Sequence, residues 1–282
     1  MKHSDPAVSK PSAKPFLKWA GGKTVLLPEI LQRLPQKIRT YYEPFFGGGA
    51  VFFALAAEGR FKRAVLNDRN EELMCTCATL RDFPDKVIRA LDQHVYDEMH
   101  YYNVRAQDPG KLTLPSHAAR FIFLNRTCFN GLYRVNRKGE FNVPFGRYTN
   151  PTICNEPALR LASAALEGAV ISACDFELAV ITAGKRDAVY FDPPYVPVSK
   201  TANFTAYSKG GFGEAEHVRL RDCFALLDKQ GVHVLLSNSD TPFVRKLYKG
   251  FKIEKVRAPR RVNSKGDKRG DVSELLISGR SH

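Results

Sequence analysis

The stretch Arg39–Asp68, "RTYYEPFFGGGAVFFALAAEGRFKRAVLND", decides the fold. An aromatic strand runs into three consecutive glycines, Gly47, Gly48 and Gly49, which open an apolar helix that Gly59 closes. "RAVLND" then reads as a short buried strand ending on Asn67 and Asp68. Strand, glycine loop, helix, strand, acid is half of a doubly wound α/β sheet. Glycines at such a turn let the backbone bend tightly and approach a ligand that a Cβ would hold off. Asp68 follows Gly47 by twenty-one residues, at the end of the next strand, where a carboxylate accepts hydrogen bonds from vicinal ribose hydroxyls. "PFFGGGA" is not GxGxxG, and "GGKTVLL" at Gly21 lacks the upstream glycine and preceding strand of a P-loop. Neither calls for a pyrophosphate, so the pattern suits an adenosine cofactor of another kind.

Moving outward, "GAVISACDF", "DAVYFDPPY" and "GVHVLLSNSD" read as further apolar strands with polar ends, and "ELLISG" as another near the C-terminus. Polar groups thus collect at the carboxyl edge of a parallel sheet, where such sheets bind ligands. Between these halves, Glu71 to about Gln107 reads as helices, with Pro84 at a helix start and helical spacing in "VIRALDQHV". Ser116 reads as the cap of a helix through "HAARFIFLNRT", and "LYRVNRKGEFNVPFG" as a hairpin turning at Lys138 and Gly139. The expected organisation is a flexible tail over 1–14, a sheet domain over 15–72 and 155–282, and an insertion over 73–154.

Composition narrows the partners. Forty-three Lys and Arg against twenty-nine Asp and Glu leave a net charge of +14, which favours a polyanion such as nucleic acid. The six cysteines lack the spacing of a zinc site, so reduced thiols and no metal are expected. The most apolar stretch, "GAVISACDFELAVITAG", carries Asp175 and Glu177 and is too short to span a bilayer, so no membrane is expected.

"AVYFDPPYVP", Ala188–Pro197, ends a buried strand on a carboxylate and then freezes the backbone with two prolines. An exocyclic amine on a nucleobase is a poor nucleophile because its lone pair is conjugated with the ring. The Asp192 carboxylate and the Pro193 carbonyl can accept both amine protons and localise that lone pair toward an electrophile. Pro193 and Pro194 fix φ, so the acceptors need not reorganise. Tyr195 supplies a face for a base that has left the duplex. A sulfonium methyl group is then attacked in line, with positioning supplying most of the rate.

With these blocks in place the sequence resembles the DNA adenine methylase family, the GATC-type N6-adenine methyltransferases. The likeness runs from about Phe16 to Ile277 through "FLKWAGGK", "EPFFGGGAVFFAL", "LND", "NRTCFNGLYRVNRKGEFNVPFG", "CDF", "DPPYVPVSKTANFTAYSKGGF" and "SNSD". It implies a Rossmann-like methyltransferase sheet with an inserted, mostly helical target-recognition domain, and S-adenosylmethionine as cofactor. Trp19, Ala20, Lys23, Phe45 and Gly47 would line the cofactor site, Asp68 would hold the ribose, and Asp175 with Phe176 the adenine. Asp192, which also borders the cofactor, Pro193, Pro194 and Tyr195 form the catalytic motif. A covering loop is expected at "SKTANFTAYSKGGFG".

The resemblance also implies how double-stranded DNA is read. Lys18 would read the first guanine of GATC and Arg134 the guanine opposite its final cytosine, a chemistry that suits guanine O6 and N7. Phe129 would wedge into the stack beside Asn130, Leu132 would touch a thymine methyl, and Pro144 would add a contact. Arg126, Arg137, Lys138, Arg147 and the basic run Lys255–Gly270 are candidate phosphate contacts. The implied setting is a monomer in the cytoplasm, on the nucleoid, of bacterial or phage type, with pairing to a restriction endonuclease open. RNA adenine, cytosine N4, a protein amide and a silent DNA-binding protein stay as alternatives.

Overall fold

The computed structural model describes residues 12–197, 212–258 and 272–280. Among the described residues, seven strands form one sheet: β1 (Ile38–Glu43), β2 (Phe61–Asn67), β3 (Val170–Ser172), β4 (Ala188–Phe191), β5 (His233–Ser239), β6 (Lys252–Ala258) and β7 (Val272–Ser278). Their order is β3-β2-β1-β4-β5-β7-β6. Strands β1 to β5 pair in parallel, and β7 lies antiparallel between β5 and β6.

Side chains alternate across a strand, and here the alternation sorts them into two cores on opposite faces. Tyr41, Ala188, Tyr190, Leu235 and Leu276 join the core on one face. Tyr42, Val189, Phe191, Val234, Leu236, Leu275 and Ile277 join the core on the other. All four residues of β4 are fully buried, as expected of a central parallel strand covered on both sides. The chain leaves β1 toward β2 while β4 lies on its other flank. The loops after β1 and β4 therefore face each other at the topological switch point.

The helix over Pro84–Leu91 starts on its proline as expected, but it stops at Leu91, so "DQHV" is not helical. The next long helix, Leu114–Thr127, is capped by Thr113 and not by Ser116: the Thr113 hydroxyl accepts from the Ser116 amide. Pro115 explains the shift, since proline is at home in a first helical turn. The expected hairpin turns through Asn136–Glu140 but pairs only by single bridges, Val135 with Phe141 and Cys128 with Phe145. Strand β6 was not anticipated; its basic, half-polar sequence reads as solvated surface until β7 is there to pair with it. The helix Glu71–Asp82 crosses the expected boundary at residue 73 and packs on both sides of it. The tail through residue 11, most of "SKTANFTAYSKGGFG" and most of the basic run lie outside the described residues. Among the described residues, no helix is long and apolar enough to cross a membrane.

Candidate active site and nucleic-acid interface

The ends of β1, β2 and β3 are sewn together by one buried side chain. The Asn67 amide donates to the carbonyls of Pro44 and Cys174, each at 3.1 Å, and its oxygen accepts from the Cys174 amide at 2.9 Å. Gly47 and Gly49 adopt left-handed backbone, φ 50° and 67°. That turn lets the Gly47 amide donate to Asp68 Oδ2 at 2.9 Å while Asn70 donates to Oδ1 at 3.0 Å. Burial pushes the Asp68 carboxyl above its usual range, against the pull of these two donors. Phe45 stacks on Phe176 at 5.5 Å, and Asp175 beside it accepts from the Glu177 amide and from Arg219. Phe45, Gly47, Asp68, Asp175 and Phe176 thus gather at one edge of the sheet. Aromatic walls and carboxylate acceptors suit a nucleoside with free hydroxyls and an amine better than a phosphate chain.

Trp19 closes this end from above. Its ring stacks on Tyr133 at 5.8 Å and lies against the glycine loop, where a Cβ on Gly47 would come within 2.8 Å of its Cδ1. The glycine therefore makes room for a protein ring as well as for a ligand. Ala20 is exposed beside it.

At the end of β4 the contacts change character. Ser237 of β5 donates to Asp192 Oδ1 at 2.7 Å and interacts with the Tyr190 hydroxyl at 2.9 Å. The other oxygen, Oδ2, meets the Lys23 ammonium at 2.7 Å. Lys23 is 8% exposed, also donates to the Gly21 carbonyl, and lies 4.7 Å from the centre of the Tyr195 ring. The lysine of the "GGK" segment, which reads as a decoy for phosphate, is thus the counter-ion of the DPPY acid. Pro193 is buried and Pro194 exposed. Beyond them Val196 is clamped on the end of β5, its amide by Asn238 Oδ1 and its carbonyl by the Ser239 hydroxyl.

A third group surrounds Lys18. Its backbone exchanges two hydrogen bonds with the Asn125 side chain, at 2.8 and 2.7 Å, which fixes the N-terminal segment to the helix Leu114–Thr127. Gly131, at φ 62°, lies so close that a Cβ there would strike the Lys18 side chain. The Lys18 ammonium lies 4.0 Å from the centre of the Tyr148 ring, and burial followed by the nearby Arg126 charge lowers its pKa. Phe129 is 51% exposed and its amide is held by the Pro144 carbonyl at 2.9 Å; Asn130 follows in left-handed backbone, φ 55°. These residues border a hollow of about 280 Å³ lined by Phe129, Asn130, Phe145, Gly146, Arg147 and Tyr148. Arg134 is exposed on the hairpin and aimed by Asn142, whose side-chain oxygen accepts from Nε at 2.7 Å. Leu132 is half-buried and packs on the core beneath.

Several participants carried no role in the sequence. Ser237, Asn238 and Ser239 were visible as three polar residues closing an apolar strand, which is the available signal. Glu274, whose carboxylate accepts from the Tyr195 hydroxyl at 2.5 Å, was not. It lies at the amino end of an antiparallel strand, which reaches the same edge that the parallel strands reach with their carboxyl ends.

A doubly wound sheet thus carries, along one edge, a glycine turn, two held carboxylates and exposed basic and aromatic side chains, an arrangement that suits a group-transfer enzyme. Residues 19–262 match the family described as D12 class N6 adenine-specific DNA methyltransferase. The chain belongs to this family and is an adenine-specific DNA methyltransferase, with DNA as its substrate. It is 42% identical to the Type II methyltransferase M1.LlaDCHI of Lactococcus lactis subsp. cremoris, over 96% of each chain. It is 44% identical to the Type II methyltransferase M.MjaIII of Methanocaldococcus jannaschii, over 94% of this chain and 98% of that one. The DNA adenine methylase of Haemophilus influenzae is 37% identical, over 95% of this chain and 94% of its own length.

Proposed function

We propose that the protein transfers the methyl group of S-adenosylmethionine to N6 of an adenine flipped out of double-stranded DNA, within GATC. The observation that carries this reading is the seat of Asp192: it ends a buried strand at the switch point, across from the Gly47 turn, with both oxygens held in place. The cofactor supplies an electrophilic methyl group on a sulfonium. Asp68 accepts from its ribose, Asp175 from its adenine amine, and Phe45 with Phe176 packs against its ring. Asp192 and the Pro193 carbonyl accept the two N6 protons, so the amine lone pair points at the methyl carbon. When bound, the cofactor would supply the methyl carbon and take back the bonding pair on its sulfur, while the Asp192 carboxylate would hold the N6 amine in line and pass the proton that N6 loses to solvent. The amine takes lone-pair positions of the Asp192 carboxylate that Lys23 and Ser237 leave free, and the long flexible stem of Lys23 lets it adjust.

On the DNA side, residues 73–154 would act as the recognition domain together with Lys18. Lys18 and Arg134 donate to guanines, Leu132 meets a thymine methyl, and Phe129 fills the gap left by the adenine. The exposure of Phe129 and the bracing of Arg134 by Asn142 support this reading. The test is methylation of plasmid DNA by the purified chain, read by restriction enzymes that require or reject methylated GATC and by sequencing that detects modified adenine. Protection at GATC is expected. Modification of adenine at another sequence would refute the specificity, and absence of N6-methyladenine would refute the reaction.

A further inference from the structure

Tyr195 has a fixed backbone and needs something more. The prolines at 193 and 194 set φ before it, and the clamp on Val196 sets the chain after it, but neither fixes the side-chain torsions that aim the ring. Among the described residues, a hydrogen bond spans that gap. The segment from Tyr195 to Val196 crosses the end of β5, and the phenol donates to Glu274 Oε2 at 2.5 Å. Glu274 pairs in register with Ser239, so it stands on the strand just past the clamp. It is partly buried, and Lys23 lies over the face of the same ring at 4.7 Å.

We propose that Glu274 is a positioning residue for methyl transfer: by holding the Tyr195 phenol it locks the ring in the plane against which the target adenine is presented to Asp192. This rests on the reading of Tyr195 as the stacking face for the base. Reach is what matters in this role. A glutamine keeps an acceptor oxygen where Oε2 stands, whereas an aspartate is one methylene short. A role based on charge alone, for example balancing Lys23, ranks them the other way.

The experiment measures single-turnover methylation of a duplex with saturating S-adenosylmethionine, using the full chain, for Glu274→Gln, Glu274→Asp and Glu274→Ala, each with and without Tyr195→Phe. Melting curves and KM for S-adenosylmethionine are measured alongside. Expected is a loss of about 10- to 100-fold in rate for Ala and Asp, with Gln within a few-fold of the parent, at unchanged KM. In the Tyr195→Phe background the Ala and Asp changes should cost no more than about 2-fold, since the contact they remove is already gone. Asp outperforming Gln, multiplicative losses in the double variants, or an unaltered rate in Ala would overturn the proposal. A Tyr195→Ala chain that methylates at the parent rate would instead overturn the stacking role beneath it. Should the Ala variant melt early, the order of Gln against Asp decides alone.

Discussion

At the glycine turn Asp68 takes its two hydrogen bonds from backbone amides, those of Gly47 and Asn70, whereas at the DPPY turn Asp192 is held by side chains, Ser237 and Lys23. Backbone donors are fixed once the turn is fixed, so the first carboxylate is held without the help of any side chain. The second is paired with a buried cation on a four-carbon stem. Each oxygen of either carboxylate keeps a lone pair free beside its present donor. One carboxylate is thus held by donors fixed in the backbone and the other by donors on side chains, which can move. Substitutions at the two ends should accordingly fail in different quantities.

The largest effect belongs to Asp192. Asp192→Ala removes the amine acceptor and leaves Lys23 unpaired, so the rate of methyl transfer should fall by about 10³-fold or more. DNA affinity should stay within about 3-fold, because Lys18, Phe129 and Arg134 lie elsewhere; filter binding alongside single-turnover assays separates the two. A rate like that of the parent would remove Asp192 from the mechanism. At the other end, Asp68→Ala should weaken S-adenosylmethionine binding by about 10- to 100-fold, the range expected for hydrogen bonds to a charged acceptor. Its rate at saturating cofactor should change only a few-fold. Titration calorimetry tests this, and a pure rate defect would erase the contrast between the ends.

A smaller effect tests whether the glycine loop is shaped by ligand or by protein. In Gly47→Ala the new Cβ meets the Trp19 ring at 2.8 Å on left-handed backbone, whereas in Gly59→Ala, at φ 62°, it meets nothing within 4 Å. Both pay for the backbone strain, about 1–2 kcal/mol. Only the first adds a collision, worth about another 1–3 kcal/mol. Thermal melting of the cofactor-free chain should therefore rank Gly47→Ala clearly below Gly59→Ala. Equal melting temperatures would mean that Trp19 moves aside freely.

How much of this was legible follows from the kind of contact involved. The glycine turn and the acid after β2 are local patterns, so the meeting of Gly47 with Asp68 could be read from their spacing. Asp192 was legible because two prolines mark the strand end. The partners of Asp192 were not. Lys23 comes from 169 residues upstream and Ser237 from 45 residues downstream; the resemblance put Lys23 and Asp192 at one cofactor site and gave Ser237 no role, and neither the ion pair nor the Ser237 bond could be read from local pattern. Glu274 escaped for a topological reason, the antiparallel run of β7. Asn142 escaped because asparagine in a polar loop is ordinary until Arg134 is seen, and Asn125 because one polar residue on a buried helix does not name its partner, Lys18.

Glu43 lies between the two ends and gives the finest test of their coupling. It closes β1 just before the glycine loop, and its Oε2 accepts from the Tyr41 hydroxyl at 2.8 Å and from the Phe52 amide at 3.0 Å. Burial, opposed by the Tyr41 bond and reinforced by the charge of Asp192, raises its pKa from 4.5 to about 8. Below pH 4.5 the folded and unfolded chains both carry the proton, and Glu43 does not affect their balance. Between 4.5 and about 8 only the unfolded chain releases it, so its ionisation favours unfolding and stability falls as pH rises through that window, levelling off above it. Glu43→Gln removes this dependence. Its melting temperature should drop less than that of the parent between pH 5.5 and 8.5, and the two curves should converge toward acid. Above pH 8 the parent also gains a negative charge near Asp192, so its turnover should change there while that of the Gln variant stays level. If both chains keep the same slope in melting and in turnover, Glu43 does not hold the proton, and the two ends of the site titrate independently.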